Sequence, residues 1–186
     1  MESRKVKNMI VVGRQGSGKS TALRRLVLAS AQAGRRVLVV TPNDDDWADI
    51  PLLDENRMAT FRGIRRAQCD QDEERALSLG LRFSGGMLVY DDARSNFSDL
   101  VTTEKRAFIS RLRHRDIDLF SVSHGFTDTP PLFFTHATHY LIFATTDDVS
   151  RRRRYLGGWY ETIAQTVQRV NRKALADPHY YECISV

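Results

Sequence analysis

The stretch from Val11 to Thr21, VVGRQGSGKST, carries residue types at spacings suited to one kind of chemistry. Gly13, Gly18, Lys19 and Ser20 fit the pattern G-x-x-x-x-G-K-[ST]. In that pattern the glycines let successive backbone N–H groups turn inward around a polyphosphate, the lysine reaches the terminal phosphates, and the hydroxyl ligates Mg²⁺. A second chemical element is the acid pair Asp91 and Asp92, which follows the apolar run MLVY and its introductory Gly85-Gly86 turn. Beside a phosphate loop, two carboxylates that end a strand divide the labour of triphosphate hydrolysis: Asp91 holds the metal, and Asp92 orients or deprotonates the attacking water. A third element is Ser123 and His124, at the end of DLFSVSH. If that strand lies between the other two, both residues face the γ-phosphate and the attacking water, which makes His124 a sensor.

These groups work only if strands and helices hold them. Met9 to Val12 is an apolar run of strand type, and Leu23, Leu26, Val27 and Ser30 recur at helical spacing after the loop. Strand, glycine loop and helix is the order the chemistry needs, because the helix N-terminus adds donors and a partial positive charge. RVLVV (36–40), MLVY (87–90), IDLFSVS (117–123) and HYLIF (139–143) read as further buried strands. Between them lie helical patterns: Phe108 and Leu112 within TEKRAFISRLRHR, and a stripe of Ile163, Val167, Val170 and Ala174. The alternation predicts a three-layer α/β fold with a mostly parallel sheet and ligands at the carboxyl ends of its strands. Residues 42–57, rich in acids and prolines, read as a loop; RMATF after it reads as a short extra strand, and HYYECISV as a sheet edge.

Length and composition set the bounds. A chain of 186 residues with 41% hydrophobic content predicts a single domain over residues 1–186 that buries about 70% of its unfolded surface. No stretch approaches the roughly 18 apolar residues of a membrane span. The apolar run in MESRKVKNMIVV is too short for a secretory signal, so a soluble, intracellular protein is expected. Cys69 and Cys183 are far apart, and the histidines at 114, 124, 136, 139 and 179 form no metal-binding motif. The net charge of +5 is concentrated at Arg62, Arg65 and Arg66, at Lys105 to Arg115, and at Arg151 to Arg154, which suits a polyanionic partner such as nucleic acid.

The ordered set GRQGSGKST, GGMLVYDD, RAFISRLRHRDID, LFSVSHGFTDTPPLFFTHATHYLIF and DDVSRRRRYL resembles the FtsK/HerA superfamily of DNA-pumping ATPases over roughly residues 8 to 156. Within it, the chain looks most like viral or phage genome-packaging ATPases. The resemblance implies a P-loop NTPase of the RecA-like ASCE type, with strand order 5-1-4-3-2 when the five apolar runs are counted along the chain. It implies ATP and Mg²⁺ as cofactors, held by Gly13, Arg14, Gln15, Gly16, Ser17, Gly18, Lys19, Ser20 and Thr21, with Ser20 and Asp91 on the metal. It implies a homo-oligomeric ring, hexameric or pentameric, acting on double-stranded DNA without sequence preference in the host cytoplasm, with a capsid or portal protein as a further partner at a packaging vertex. Arg113, with Arg111 as the near alternative, stands where a neighbour's arginine finger is expected. Arg62, Arg65, Arg66 and Arg94 are the DNA-contact candidates. Two departures stand out: Asp92 replaces the usual glutamate, and His124 the usual glutamine. Two other classes fit the same residues. One is a nucleotide or nucleoside kinase with RRRR as its lid, and the other is a nucleotide-binding assembly scaffold with weak hydrolysis.

Overall fold

The computed structural model describes residues 6–42 and 45–186. Residues 1–5 of the N-terminal stretch and residues 43 and 44 of the loop lie outside the described residues. Seven strands form one sheet: β1 (Asn8–Val12), β2 (Arg36–Thr41), β3 (Ile64–Gln68), β4 (Gly86–Tyr90), β5 (Ile117–Ser123), β6 (His139–Phe143) and β7 (Tyr181–Ser185). The helices are α1 (Lys19–Gln32), α2 (Glu73–Arg82), α3 (Ala93–Asn96), α4 (Thr103–Arg111), α5 (Pro131–Phe134), α6 (Arg153–Leu156) and α7 (Tyr160–Lys173).

Strands β1, β2, β4 and β5 are buried at every position. Unbroken apolar runs are what a parallel sheet covered on both faces requires. Alternate side chains of these strands separate two cores. Val11, Val39, Val89 and Val122 pack on one face with Leu23 and Val27 of α1 and with Trp47. Ile10, Leu38, Leu88 and Leu119 face the other way, toward α2, α4, α5 and α7. That is the three-layer arrangement expected. The C-terminal stripe lies as read, with Ile163, Val167, Val170 and Ala174 all buried. In α1, Leu26 departs from its pattern and is 39% exposed.

The sheet order is β3-β2-β4-β5-β1-β6-β7. Its five inner strands keep the expected order, and one strand is added at each edge. β7 runs antiparallel to β6, the edge expected from HYYECISV; the other pairings are parallel. β3 is the strand the sequence did not announce, because IRRAQ has no apolar run. RMATF is not a strand: it continues from a short 3-10 turn (Glu55–Arg57), and Met58 and Phe61 bury their side chains without sheet pairing. The loop before it carries another such turn (Asp45–Trp47) and a single bridge from Leu52 to Arg66. Among the described residues no helix is long and apolar enough to cross a membrane. Cys69 is buried and Cys183 exposed, and both are free thiols.

Candidate active site

β1 delivers the glycine loop to the carboxyl end of the sheet, between β5 and β6. Gly16 and Gly18 have φ of 75° and 91°, a left-handed backbone that lets the chain double back. Gly13 is required for a different reason, since a Cβ there would stand 2.4 Å from Cβ of Phe143 on β6. The next residue locks the loop to that strand, with the Arg14 N–H donating to Ala144 O at 2.7 Å. Lys19 opens α1 and is 8% exposed, with its ammonium donating to Gly13 O at 2.5 Å and Arg14 O at 2.9 Å. Desolvation pushes its pKa down; the nearby Asp91 and Asp92 carboxylates oppose that shift.

β4 ends at Tyr90 and places Asp91 and Asp92 beside this loop. Asp91 is partly buried, and Oδ2 accepts the Trp47 indole N–H at 2.6 Å. Its carboxyl is held above the usual aspartate value, chiefly by burial and further by the charges of Asp46 and Asp92; the Trp47 bond pulls the other way. Asp92 sits at φ 52°, a left-handed conformation that costs a non-glycine residue about 1 kcal/mol or more. Its Oδ2 accepts from Ser95 Oγ at 2.6 Å. Ser20 Oγ donates to Asp46 Oδ2 at 3.1 Å.

β5 lies between β1 and β4, as the sensor reading requires. It brings Ser123 and His124 to the same cleft, and the buried Ser123 hydroxyl has no hydrogen-bond partner among the described residues. The cleft holds about 490 Å³ and is lined by Gln15, Gly16, Gly18, Lys19, Ser20 and Thr21, by the two acids, and by Ser123 and His124. Gly13 and Ser17 lie beneath it in the loop's packing, the Ser17 hydroxyl 2.9 Å from where a Gly13 Cβ would stand. Arg14 opens onto an adjoining cleft with Gln15, His124 and Arg151.

Asp46 and His179 line the cleft and escaped the sequence reading, as did Trp47, which holds Asp91 from behind. Asp46 and Trp47 arrive from the acidic loop after β2, and His179 from the segment before β7. Trp47 had one sequence signal, a lone large aromatic in a run of acids; it proves 1% exposed.

The oxygen donors Ser20, Asp91 and Asp46 suit a hard cation. Among the described residues no three His, Cys, Asp or Glu side chains form a metal cage. Mg²⁺ is ordinarily bound through one or two carboxylates together with substrate phosphates and water.

Arg111 and Arg113 are not brought to the cleft. They precede β5, whose seven residues from Ile117 to Ser123 separate them by about 20 Å from the end where the acids lie. The basic clusters are also less free than their charge suggests. Arg66 is 9% exposed and donates to Ile50 O at 2.8 Å, and Arg94 pairs with Asp99 at 2.5 Å. Lys105 is buried against Glu73. Arg62 stays exposed and Arg65 half-exposed. In the RRRR run, Arg153 and Arg154 stack on Tyr160 and Tyr155 at 4.6 and 4.4 Å. None of the four lines the cleft, and Arg151 lines the adjoining one.

No protein-family model and no curated protein matches the sequence. Solved structures do. The genome packaging NTPase B204 from Sulfolobus turreted icosahedral virus 2, in complex with AMP, superposes with a TM-score of 0.72 at 16% identity over 100% of this chain and 94% of that one. Its complex with AMPPCP gives 0.70 at 14% identity over 89% and 86%. B204 of Sulfolobus turreted icosahedral virus, a DNA-packaging ATPase, gives 0.72 at 13% identity over 98% and 94%. This chain shares their fold. The neighbours found by shape are of the kind that the ordered sequence motifs resemble, and they bind nucleotides.

Proposed function

We propose that this chain is an ATP-hydrolysing motor of a single domain that moves double-stranded DNA and packages a viral genome into a preformed capsid. One observation carries the reading. A single cleft gathers the glycine loop with Lys19 and Ser20, the acid pair at the end of β4, and Ser123 with His124 at the end of β5. Three separate strands thus converge on one triphosphate-sized space at the carboxyl edge of the sheet, where such folds bind ligands. The fold shared with packaging NTPases supports the choice of substrate and task.

In this reading, Gly13 to Gly18 and Thr21 surround the phosphates with N–H groups, and Lys19 exchanges its loop carbonyls for terminal phosphate oxygens. Ser20 and Asp91 would hold Mg²⁺, which would neutralise charge on the phosphates. Asp92, fixed by Ser95, orients the attacking water and receives its proton, while His124 and the Ser123 hydroxyl sense the terminal phosphate. The spread charge of the transferring phosphoryl group still lacks an arginine, since Arg111 and Arg113 stand at the far end of β5. A ring in which one subunit's Arg113 reaches the next subunit's cleft supplies it, worth several powers of ten in rate. Contacts to DNA go to its phosphates, with the exposed Arg62 and the half-exposed Arg65 as candidates.

The test is ATP turnover with and without double-stranded DNA of unrelated sequences, at low and moderate salt, with Lys19→Ala as control. Stimulation by any sequence that fades with salt is expected. Turnover indifferent to DNA refutes the motor and returns the cleft to a kinase or a scaffold.

A further inference from the structure

We infer that the imidazole of His179 is the stacking surface for the nucleoside of the bound nucleotide, a reading that rests on the phosphate-loop assignment above. The cleft has two ends. Asp91, Asp92, Ser123 and His124 surround the end that takes the terminal phosphate, and the glycine loop spans the phosphate chain. The nucleoside is left with the side formed by Gly18 and the start of α1. Among the described residues two aromatic rings line the cleft, His124 from the end of β5 and His179 from the segment before β7. His179 Nδ1 would stand 3.0 Å from a Cβ built on Gly18, so the ring borders the loop at its last glycine.

The ring is exposed, yet its backbone is held firmly. The His179 N–H donates to Asp177 Oδ1 at 3.0 Å, and the Tyr180 N–H donates to Asp177 O at 2.9 Å. Tyr180 in turn accepts from Lys173 Nζ at 2.7 Å and donates to Glu182 Oε1 at 2.9 Å. Arg169 of α7 grips Glu182 on β7. A hydrogen-bonded strap from α7 to β7 therefore presents an exposed imidazole beside the phosphate loop. A flat ring carried on a backbone fixed before binding lowers the entropic cost of stacking, and every base offers a π-face to stack on it.

Calorimetric titration of the full chain with Mg²⁺ and either ATP or inorganic tripolyphosphate separates the two ends of the cleft. His179→Ala should weaken ATP binding about tenfold and leave tripolyphosphate unchanged, and His179→Phe should keep near-normal ATP affinity. Unaltered ATP affinity in His179→Ala, an equal loss for both ligands, or a His179→Phe as weak as His179→Ala would each overturn the inference. Lys19→Ala should lose both ligands; if it retains both, the phosphate-loop reading itself fails, an outcome distinct from any His179 result.

Discussion

Gly13→Ala is the most discriminating change in the loop, because the pattern glycine and the packing glycine are the same residue. Its new methyl would lie 2.4 Å from Cβ of Phe143, against ordinary contact from 3.4 Å, so an outward shift of about 1 Å is forced. Neither side yields cheaply. Phe143 is 1% exposed on β6, which pairs with β1 on one side and β7 on the other, and its ring packs 4.8 Å from that of Tyr181. Overpacking of this kind costs about 1–3 kcal/mol, and for a chain of this size about 2 kcal/mol lowers the melting temperature by about 6 °C. The functional loss is larger, because a displacement of about 1 Å in a positioning element costs about 100-fold in rate. Gly16→Ala is the control. Nothing lies within 4 Å of its Cβ, so only the strain of φ 75° remains, about 1–2 kcal/mol. Thermal unfolding without nucleotide, followed by ATP turnover, should show Gly13→Ala losing activity far beyond Gly16→Ala at similar stability loss. Wild-type melting and turnover in Gly13→Ala would refute the close-approach argument.

Other outcomes follow from the same contacts. Burial raises the folded-state pKa of Asp91 above its ordinary 3.8, so its favourable, protonated form is fully present below that value, and stability is lost as pH rises through the raised pKa. Asp91→Asn should therefore melt higher than wild type near neutral pH, the gap closing toward about pH 4, while hydrolysis is lost throughout. Tyr90→Phe removes the buried bond from its hydroxyl to Ala76 O at 2.9 Å; denaturant titration should show a loss of about 1 kcal/mol with ATP affinity unchanged. Mixing Arg113→Ala subunits with Asp92→Ala subunits should restore part of the ATP turnover that each lacks alone, and no recovery at any ratio would count against a finger acting in trans.

The inner sheet was legible because each of its strands is a short, mostly apolar run, as burial on both faces requires. β3 was not, because at the sheet edge its arginines are tolerated: Arg66 carries its guanidinium along the sheet to the Ile50 carbonyl instead of out to solvent. RMATF misled for the converse reason. Met58 and Phe61 are core residues, but their three-residue spacing belongs to turns that fold under the sheet. At the cleft, the loop and the strand-end acids could be read because each is a run of neighbours in sequence. Asp46 and His179 could not, since they reach the cleft only when separate loops fold over it, and nor could Trp47 behind Asp91. Arg111 and Arg113 show the same limit from the other side: their place before β5 is plain in the sequence, and that β5 carries them away from the cleft is plain only in three dimensions.

In the proposed function, hydrolysis in this cleft moves the chain along a duplex. The direct measurement is displacement of a labelled third strand from a triplex placed at the end of a linear duplex, followed with ATP, with AMPPCP, and with the Lys19→Ala variant. The account predicts displacement with ATP alone, on duplexes of unrelated sequence, and none with AMPPCP or Lys19→Ala. A wild-type protein that turns over ATP at full rate on the same DNA while the triplex stays intact would contradict it.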